Sequence, residues 1–159
     1  MPRDDAVVTL REVTDENRAD VEALSVTPEQ AHYVAPNTQS FQDALETPEA
    51  CPWFRAVYAD DTPVGFVMIS DGVPESDDEL LGPYYLWRLM IDTRWQRRGY
   101  GTAALDLVVE HVRGRPGARR LLSSIVPGEV ASPREFYLRY GFRLTGEWHD
   151  GEEVTELLL

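Results

Sequence analysis

The chain has 159 residues, 43% of them hydrophobic, with a formal net charge of −13 and arginine as its only strongly basic residue type. That length predicts one domain, residues 1–159, and the acidic balance argues against a nucleic-acid partner; it is compatible with a small cationic one, and solubility alone also accounts for it. No run approaches the ~18 apolar residues of a membrane span, no apolar leader is visible, and the single cysteine, Cys51, excludes an internal disulfide, so a cytoplasmic protein with no membrane partner is expected.

In chain order, residues 6–13 predict a strand. Thr14 is placed to cap a helix, with Asp15 and Glu16 in its first turn and Ala19, Val21, Ala23 and Leu24 within it. Pro28 and Pro36 punctuate the next segment, and Ser40 is expected to cap a short helix through Glu46. Residues 53–59 and 64–70 predict a hairpin, with Asp60-Asp61-Thr62-Pro63 as its turn. Residues 71–83 hold five acids, two glycines and two prolines and read as a loop. A strand at 84–92 and a helix at 99–113 follow, the helix ended by Gly114, Pro116 and Gly117. Residues 119–126 form a further strand. Ser132-Pro133-Arg134-Glu135 has the pattern of a capping box, starting a helix that stops at Gly141. Residues 142–148 and 152–158 predict a hairpin around Asp150-Gly151. The order implies an α/β (α+β) fold, a mixed, mostly antiparallel sheet of six to seven strands with helices on both faces.

Residues 96–102, Gln-Arg-Arg-Gly-Tyr-Gly-Thr, lie between the strand at 84–92 and the helix at 99–113. Strand, glycine loop and helix N-terminus make an anion site, because free N–H groups of the first turn face a ligand that glycines let approach. Arg97 and Arg98 add fixed positive charge. Gly99-Tyr-Gly101-Thr-Ala-Ala104 also satisfies a loose dinucleotide fingerprint. That fingerprint needs an acid about 20 residues further on, where Ser123 and Ser124 stand, and too little chain follows to complete a doubly wound domain. The absence of lysine excludes a P-loop. His32, His111 and His149 are scattered, so no metal is expected.

Two segments carry a resemblance. Gln96, Gly99 and Gly101 match Q/R-x-x-G-x-G/A, and Phe136-Tyr137-Leu138-Arg139-Tyr140-Gly141-Phe142 matches a later F-Y-x-x-x-G-F segment. Together, in this order, they resemble the GNAT superfamily of N-acetyltransferases. Tyr84-Tyr85-Leu86 before the strand looks most like the diamine and polyamine (spermidine/spermine) branch. The resemblance implies acetyl-CoA as cosubstrate, transfer to a primary amine without an acyl-enzyme, and a possible homodimer, to which the apolar tail Leu157-Leu158-Leu159 also points. It implies that main chain at Leu89, Met90 and Ile91 holds the pantetheine and that Gln96, Arg97, Arg98, Gly99, Tyr100, Gly101 and Thr102 take the pyrophosphate. Tyr137 is the implied general acid, and Tyr140, three residues on, partly shares its helical face.

The chain departs from that branch where it matters for the base. Trp87 and Arg88 stand at positions where the branch has acids, and the Asn usual near residue 130 is missing. Trp87 is a candidate wall for an ammonium group by cation–π contact. Glu29 and the acids at 77–79 are candidate replacements, an ordered water is another, and Glu129 is a candidate polar site residue near the missing Asn. The arginines at 113, 115, 119 and 120 are within reach of a 3′-phosphate in sequence terms. The expected reaction is acetyl transfer to a small cationic amine. A peptide N-terminus or an aminoglycoside is the alternative acceptor, and a non-catalytic acyl-CoA-binding module the alternative outside catalysis.

Overall fold

Two apolar runs fold back on each other as β2 (Pro52–Ala59) and β3 (Thr62–Asp71) in a computed structural model that describes residues 5–159. The connection is only Asp60-Asp61, because Thr62 and Pro63, expected in the turn, already pair with Ala59 and Tyr58. Asp60 takes the positive φ of 51° that this tight reversal needs. The other strands are β1 (Val8–Arg11), β4 (Tyr84–Ile91), β5 (Arg120–Ile125), β6 (Arg143–His149) and β7 (Glu152–Leu158). They form one seven-stranded sheet in the order β1-β2-β3-β4-β5-β7-β6. Every neighbouring pair is antiparallel except β4 and β5. The expected mostly antiparallel sheet is therefore present.

The helices are α1 (Arg18–Glu22), α2 (Asn37–Glu46), α3 (Tyr100–Arg113) and α4 (Arg134–Tyr140). Helix α3 is the crossover that a parallel β4–β5 pair requires. Its buried stripe of Ala104, Leu105, Val108, Val109 and Val112 follows the helical repeat. Successive strand residues point to opposite faces. Phe54 of β2 meets Phe41 of α2, with ring centroids 5.3 Å apart, whereas Trp53 stacks on His111 of α3 at 4.2 Å. So α2 and α3 cover opposite faces, as expected.

Three helix starts differ from expectation. Helix α1 begins at Arg18, since the Thr14 carbonyl is taken by the N–H groups of Asn17 and Arg18 in a preceding turn. Helix α2 begins at Asn37, directly after Pro36. Ser40 lies buried inside it, its hydroxyl returning to the Pro36 carbonyl, so it is no cap. At α4, Ser132 Oγ accepts from Arg134 N at 3.2 Å, but Glu135 pairs with Arg139, leaving the capping box half-formed. Of the terminal Leu157-Leu158-Leu159, Leu157 and Leu159 pack against the core and Leu158 alone is exposed, which weakens that ground for a dimer.

Asp92, just past β4, fixes the approach to the glycine loop. Its buried carboxylate accepts from Ser25 N at 2.9 Å, Arg94 N at 2.9 Å and Arg94 Nε at 2.8 Å. Burial alone would raise its pKa, but these donors outweigh burial and hold it below the ordinary carboxylate value. Stability from such a group is present above its unfolded pKa and is lost as pH falls through the folded one. Asp92→Asn is expected to cost about 2 kcal/mol at neutral pH. The gap to wild type should begin to narrow near the ordinary carboxylate pKa of about 4 and close only at a pH below the lowered folded-state value, where both side chains are neutral. Urea melts at neutral and low pH check this, and equal midpoints at neutral pH would contradict it.

Candidate active site

Strands β4 and β5 pair only at Tyr85↔Leu122 and Leu86↔Ser123 and then part. The edge of β4 beyond Leu86 that faces β5 is left without a strand partner, and a cleft of about 990 Å³ opens there. Leu89, Met90 and Ile91 line one wall, and Ser124, Ile125 and Val126 the other. Unpaired main-chain groups must find a partner, so this edge suits an extended ligand with amide groups of its own.

A bulge sits at the head of the cleft. Met68 of β3 pairs with Arg88 and Ile69 with Leu86, which leaves Trp87 as the extra residue. Trp87 lines the cleft as expected. Arg88 reaches Asp43 of α2 at 2.8 Å, both side chains largely buried. The cation nearest the Trp87 ring is this Arg88 guanidinium, 5.6 Å from the centroid.

The loop into α3 closes the other end. Gln96 donates to the Ile91 carbonyl at 2.8 Å and exchanges two hydrogen bonds with Gln30, at 2.8 and 3.1 Å. One amide therefore ties the loop to β4 and to the α1–α2 connection. Arg97 and Gly99 adopt positive φ of 65° and 81°. Gly99 takes this conformation without steric cost and turns the chain into α3. The first-turn N–H groups have no acceptor within α3, and they belong to residues that line the cleft. Gln96, Arg97, Gly99, Tyr100, Gly101 and Thr102 line the cleft, whereas Arg98 lies outside the lining.

Helix α4 adds Phe136 and Tyr137. Tyr137 is 8% exposed. Burial pushes its pKa up to about 12, and the nearby Ser123 hydroxyl offsets only part of this. Ser123 Oγ is itself buried and completes no hydrogen bond. The phenol is thus held protonated at neutral pH. Gly141 and Phe142 both donate their N–H to the Tyr137 carbonyl, and the Phe142 ring packs at 5.3 Å on the Tyr137 ring. The F-Y-x-x-x-G-F segment thereby positions its own tyrosine. Tyr140 turns away from the cleft and donates to Asp106 of α3 at 2.6 Å, so the shared helical face does not extend to the hydroxyls.

The expected acidic candidates are not gathered here. Glu29 is exposed ahead of a short 3₁₀ turn, Gln30–His32, whose residues line the cleft while Glu29 does not. Glu129 is exposed and outside the lining. Its loop is held by main chain, with His32 Nε2 against the Pro127 carbonyl at 3.1 Å and Tyr33 donating to the Val130 carbonyl at 2.8 Å. Asp77 spends its carboxylate on the N–H groups of Glu79 and Leu80. Arg115 is bound to Asp71 and Arg120 to Glu156 rather than facing the cleft.

Polar groups from β4, β5 and β7 also line the cleft. Tyr85 Oη and Ser124 Oγ are 2.6 Å apart, and Ser124 donates to Glu152 Oε1 at 3.1 Å. His149 and Asp150 stand beside them. Only Tyr85 belonged to a recognisable motif. Ser124 and Glu152 carry no local spacing signal, because the sheet alone brings them together. Among the described residues, no three His, Cys, Asp or Glu side chains gather into a metal site, and no helix is long and apolar enough to cross a membrane.

Known proteins resemble this chain over most of its length. A family model described as the acetyltransferase (GNAT) family matches residues 10–142. A Bacillus subtilis (strain 168) spermine/spermidine N(1)-acetyltransferase is 30% identical over 150 residues, covering 92% of this chain and 95% of the relative. The GNAT domain of S. lividans PAT superposes with a TM-score of 0.71 at 18% identity, covering 97% of this chain and 90% of that one. The paiA N-acetyltransferase from Thermoplasma acidophilum, in complex with coenzyme A, does so with a TM-score of 0.64 at 15% identity, over 96% and 99% of the two chains. At such identities these two structures speak to the fold, and the family match speaks to the chemistry. The chain belongs to the acetyltransferase (GNAT) family and is an acetyl-CoA-dependent N-acetyltransferase.

Proposed function

We propose that the protein moves the acetyl group of acetyl-CoA directly to a primary amine of a small polyamine-like cation. The observation that carries this reading is the carboxylate pair Asp150 and Glu152 lining the acceptor side of a cleft whose other wall is the unpaired edge of β4. The similarity to a spermine/spermidine N(1)-acetyltransferase supports the same acceptor class. In this reading the main chain of Leu89, Met90 and Ile91 holds the pantetheine and polarises the thioester carbonyl. Arg97 and the N–H groups of Gly99, Tyr100, Gly101 and Thr102 take the pyrophosphate, with Gln96 fixing the loop.

Trp87 offers its ring to the acceptor's ammonium groups. Tyr137 donates its proton to the sulfur as the C–S bond breaks. A phenol held near 12 gives no proton to an already free thiolate, since thiols ionise several units lower. Its transfer therefore accompanies bond cleavage, and the phenolate left behind regains a proton from solvent.

The reading is tested by offering spermidine, an aminoglycoside and an N-terminal peptide separately, with acetyl-CoA, and weighing the products by mass spectrometry. Acetylated spermidine, in excess over the other two products, is the expected result. Acetylation of the peptide or aminoglycoside with spermidine untouched would overturn the acceptor assignment.

A further inference from the structure

The hydrogen bonds between β4, β5 and β7 have a direction, and the direction follows from counting protons. Ser124 has one O–H, and it is spent on Glu152 Oε1 at 3.1 Å, an acceptor-only carboxylate. The 2.6 Å contact between Ser124 and Tyr85 must then run from the tyrosine, with Tyr85 donating to Ser124 Oγ. Tyr85 has no second proton. Its oxygen is left with lone pairs, and Tyr85 lines the cleft together with Ser124 and Glu152. The chain of three hydroxyl or carboxyl groups is therefore polarised toward Glu152 and presents an acceptor to whatever lies in the cleft.

The surroundings suit that polarity. Burial raises the Tyr85 pKa, although Ser124 opposes this, so the phenol acts by passing a proton on and not as a standing phenolate. The charged groups acting on it are Glu152, Arg88 and Asp150. Arg88 is engaged by Asp43. Tyr137 belongs to a different set. It neighbours Ser123, the residue before Ser124, whose side chain points to the opposite face of β5. The two tyrosines thus approach the cleft from opposite sides of the sheet, one suited to the leaving sulfur and the other to the incoming nitrogen.

We propose that Tyr85, Ser124 and Glu152 form the relay that removes the proton from the acceptor amine, filling the role for which Trp87 leaves no acid on β4. As the nitrogen bonds to the thioester carbon, its N–H bond breaks and the proton goes to Tyr85 Oη. The Tyr85 proton passes to Ser124 Oγ and the Ser124 proton to Glu152, which ends protonated. Glu152 is half-buried beside Asp150, whose side chain is 85% exposed, so the proton leaves to solvent there. Charge and atoms balance without any further reactant. Tyr85 touches the substrate, while Ser124 and Glu152 act through it. The inference rests on the acetyltransferase reading above.

The test is steady-state kinetics of Tyr85→Phe, Ser124→Ala and Glu152→Gln with acetyl-CoA and spermidine, alongside acetyl-CoA binding by calorimetry as a check on folding. Glu152→Gln keeps an oxygen for Ser124 to bond but cannot take the proton. Each single variant is expected to lose about 30-fold in kcat, with KM for spermidine changed less than about threefold. The Tyr85→Phe, Glu152→Gln double variant should be no worse than the weaker single variant, because the groups act in series. An unchanged kcat with a raised KM in Glu152→Gln would overturn the relay and leave Glu152 as a cation anchor. Additive losses in the double variant would also overturn it. A wild-type protein inert toward spermidine would instead remove the polyamine reading and the relay with it, an outcome distinct from active wild type with unaffected variants.

Discussion

Tyr137→Phe is expected to lower kcat by about 100-fold while acetyl-CoA affinity changes less than about threefold. The substitution removes one oxygen and keeps the ring that packs between Phe136 and Phe142. The fold loses little, because the Tyr137 hydroxyl makes no strong bond whose loss strands a charged group. Its nearest polar neighbour, Ser123, is already without a completed hydrogen bond. What disappears is the phenolic proton that α4 presents to the cleft. Since burial holds this phenol's pKa up at about 12, its ionisation should not shape the rate profile below about pH 11. Single-turnover kinetics across pH checks both statements. A Tyr137→Phe enzyme with undiminished single-turnover rate would remove Tyr137 from the chemistry.

The largest effect on stability is expected from one added methyl group. A Cβ on Gly65 would overlap the Met90 carbonyl oxygen and come within 2.7 Å of Ile91 Cδ1. Gly65 pairs directly with Ile91 in the β3–β4 ladder, so the neighbour that must yield is main chain. Gly65→Ala is therefore expected to cost about 3 kcal/mol, the upper end of overpacking penalties. The strand displaced is the one whose Leu89, Met90 and Ile91 line the cleft, so acetyl-CoA affinity should fall with stability. Denaturant melts and calorimetric titration measure the two. A variant as stable as wild type would show that β4 accommodates the methyl group and that this close approach does not set the cleft wall.

The contrast between these two sites shows what the linear sequence carries. The glycine loop is local, since Gln96, Gly99 and Gly101 lie within six residues of one another, so its turn into α3 is legible in the sequence. Tyr137 was readable because the glycine and phenylalanine that fix it lie within the next five residues. Gly65 was not, since its partner is a strand away and only the register makes it tight. The same holds for Tyr85, Ser124 and Glu152, whose contacts span 39 and 28 residues. Nearness in sequence to a lining segment misled the choice of Glu29 and Glu129. Each adjoins residues of the cleft or its rim, yet loop geometry turns both carboxylates to solvent. Trp87 stands out in the sequence by its chemistry, but the bulge that brings it into the cleft is a matter of pairing with β3. Ser40 reads as a cap because serine favours that position. Pro36 starts the helix earlier and makes Ser40 an interior residue.

The central claim is that this cleft joins acetyl-CoA to an amine and transfers the acetyl group directly between them. The most direct measurement is thiol release from acetyl-CoA by the purified protein, with spermidine and with no amine. The account predicts thiol release that requires the amine and equals the acetylated amine formed, mole for mole. Acetyl-CoA binding without thiol release on spermidine or any other amine would contradict it, and would make the protein an acyl-CoA-binding module on an acetyltransferase fold.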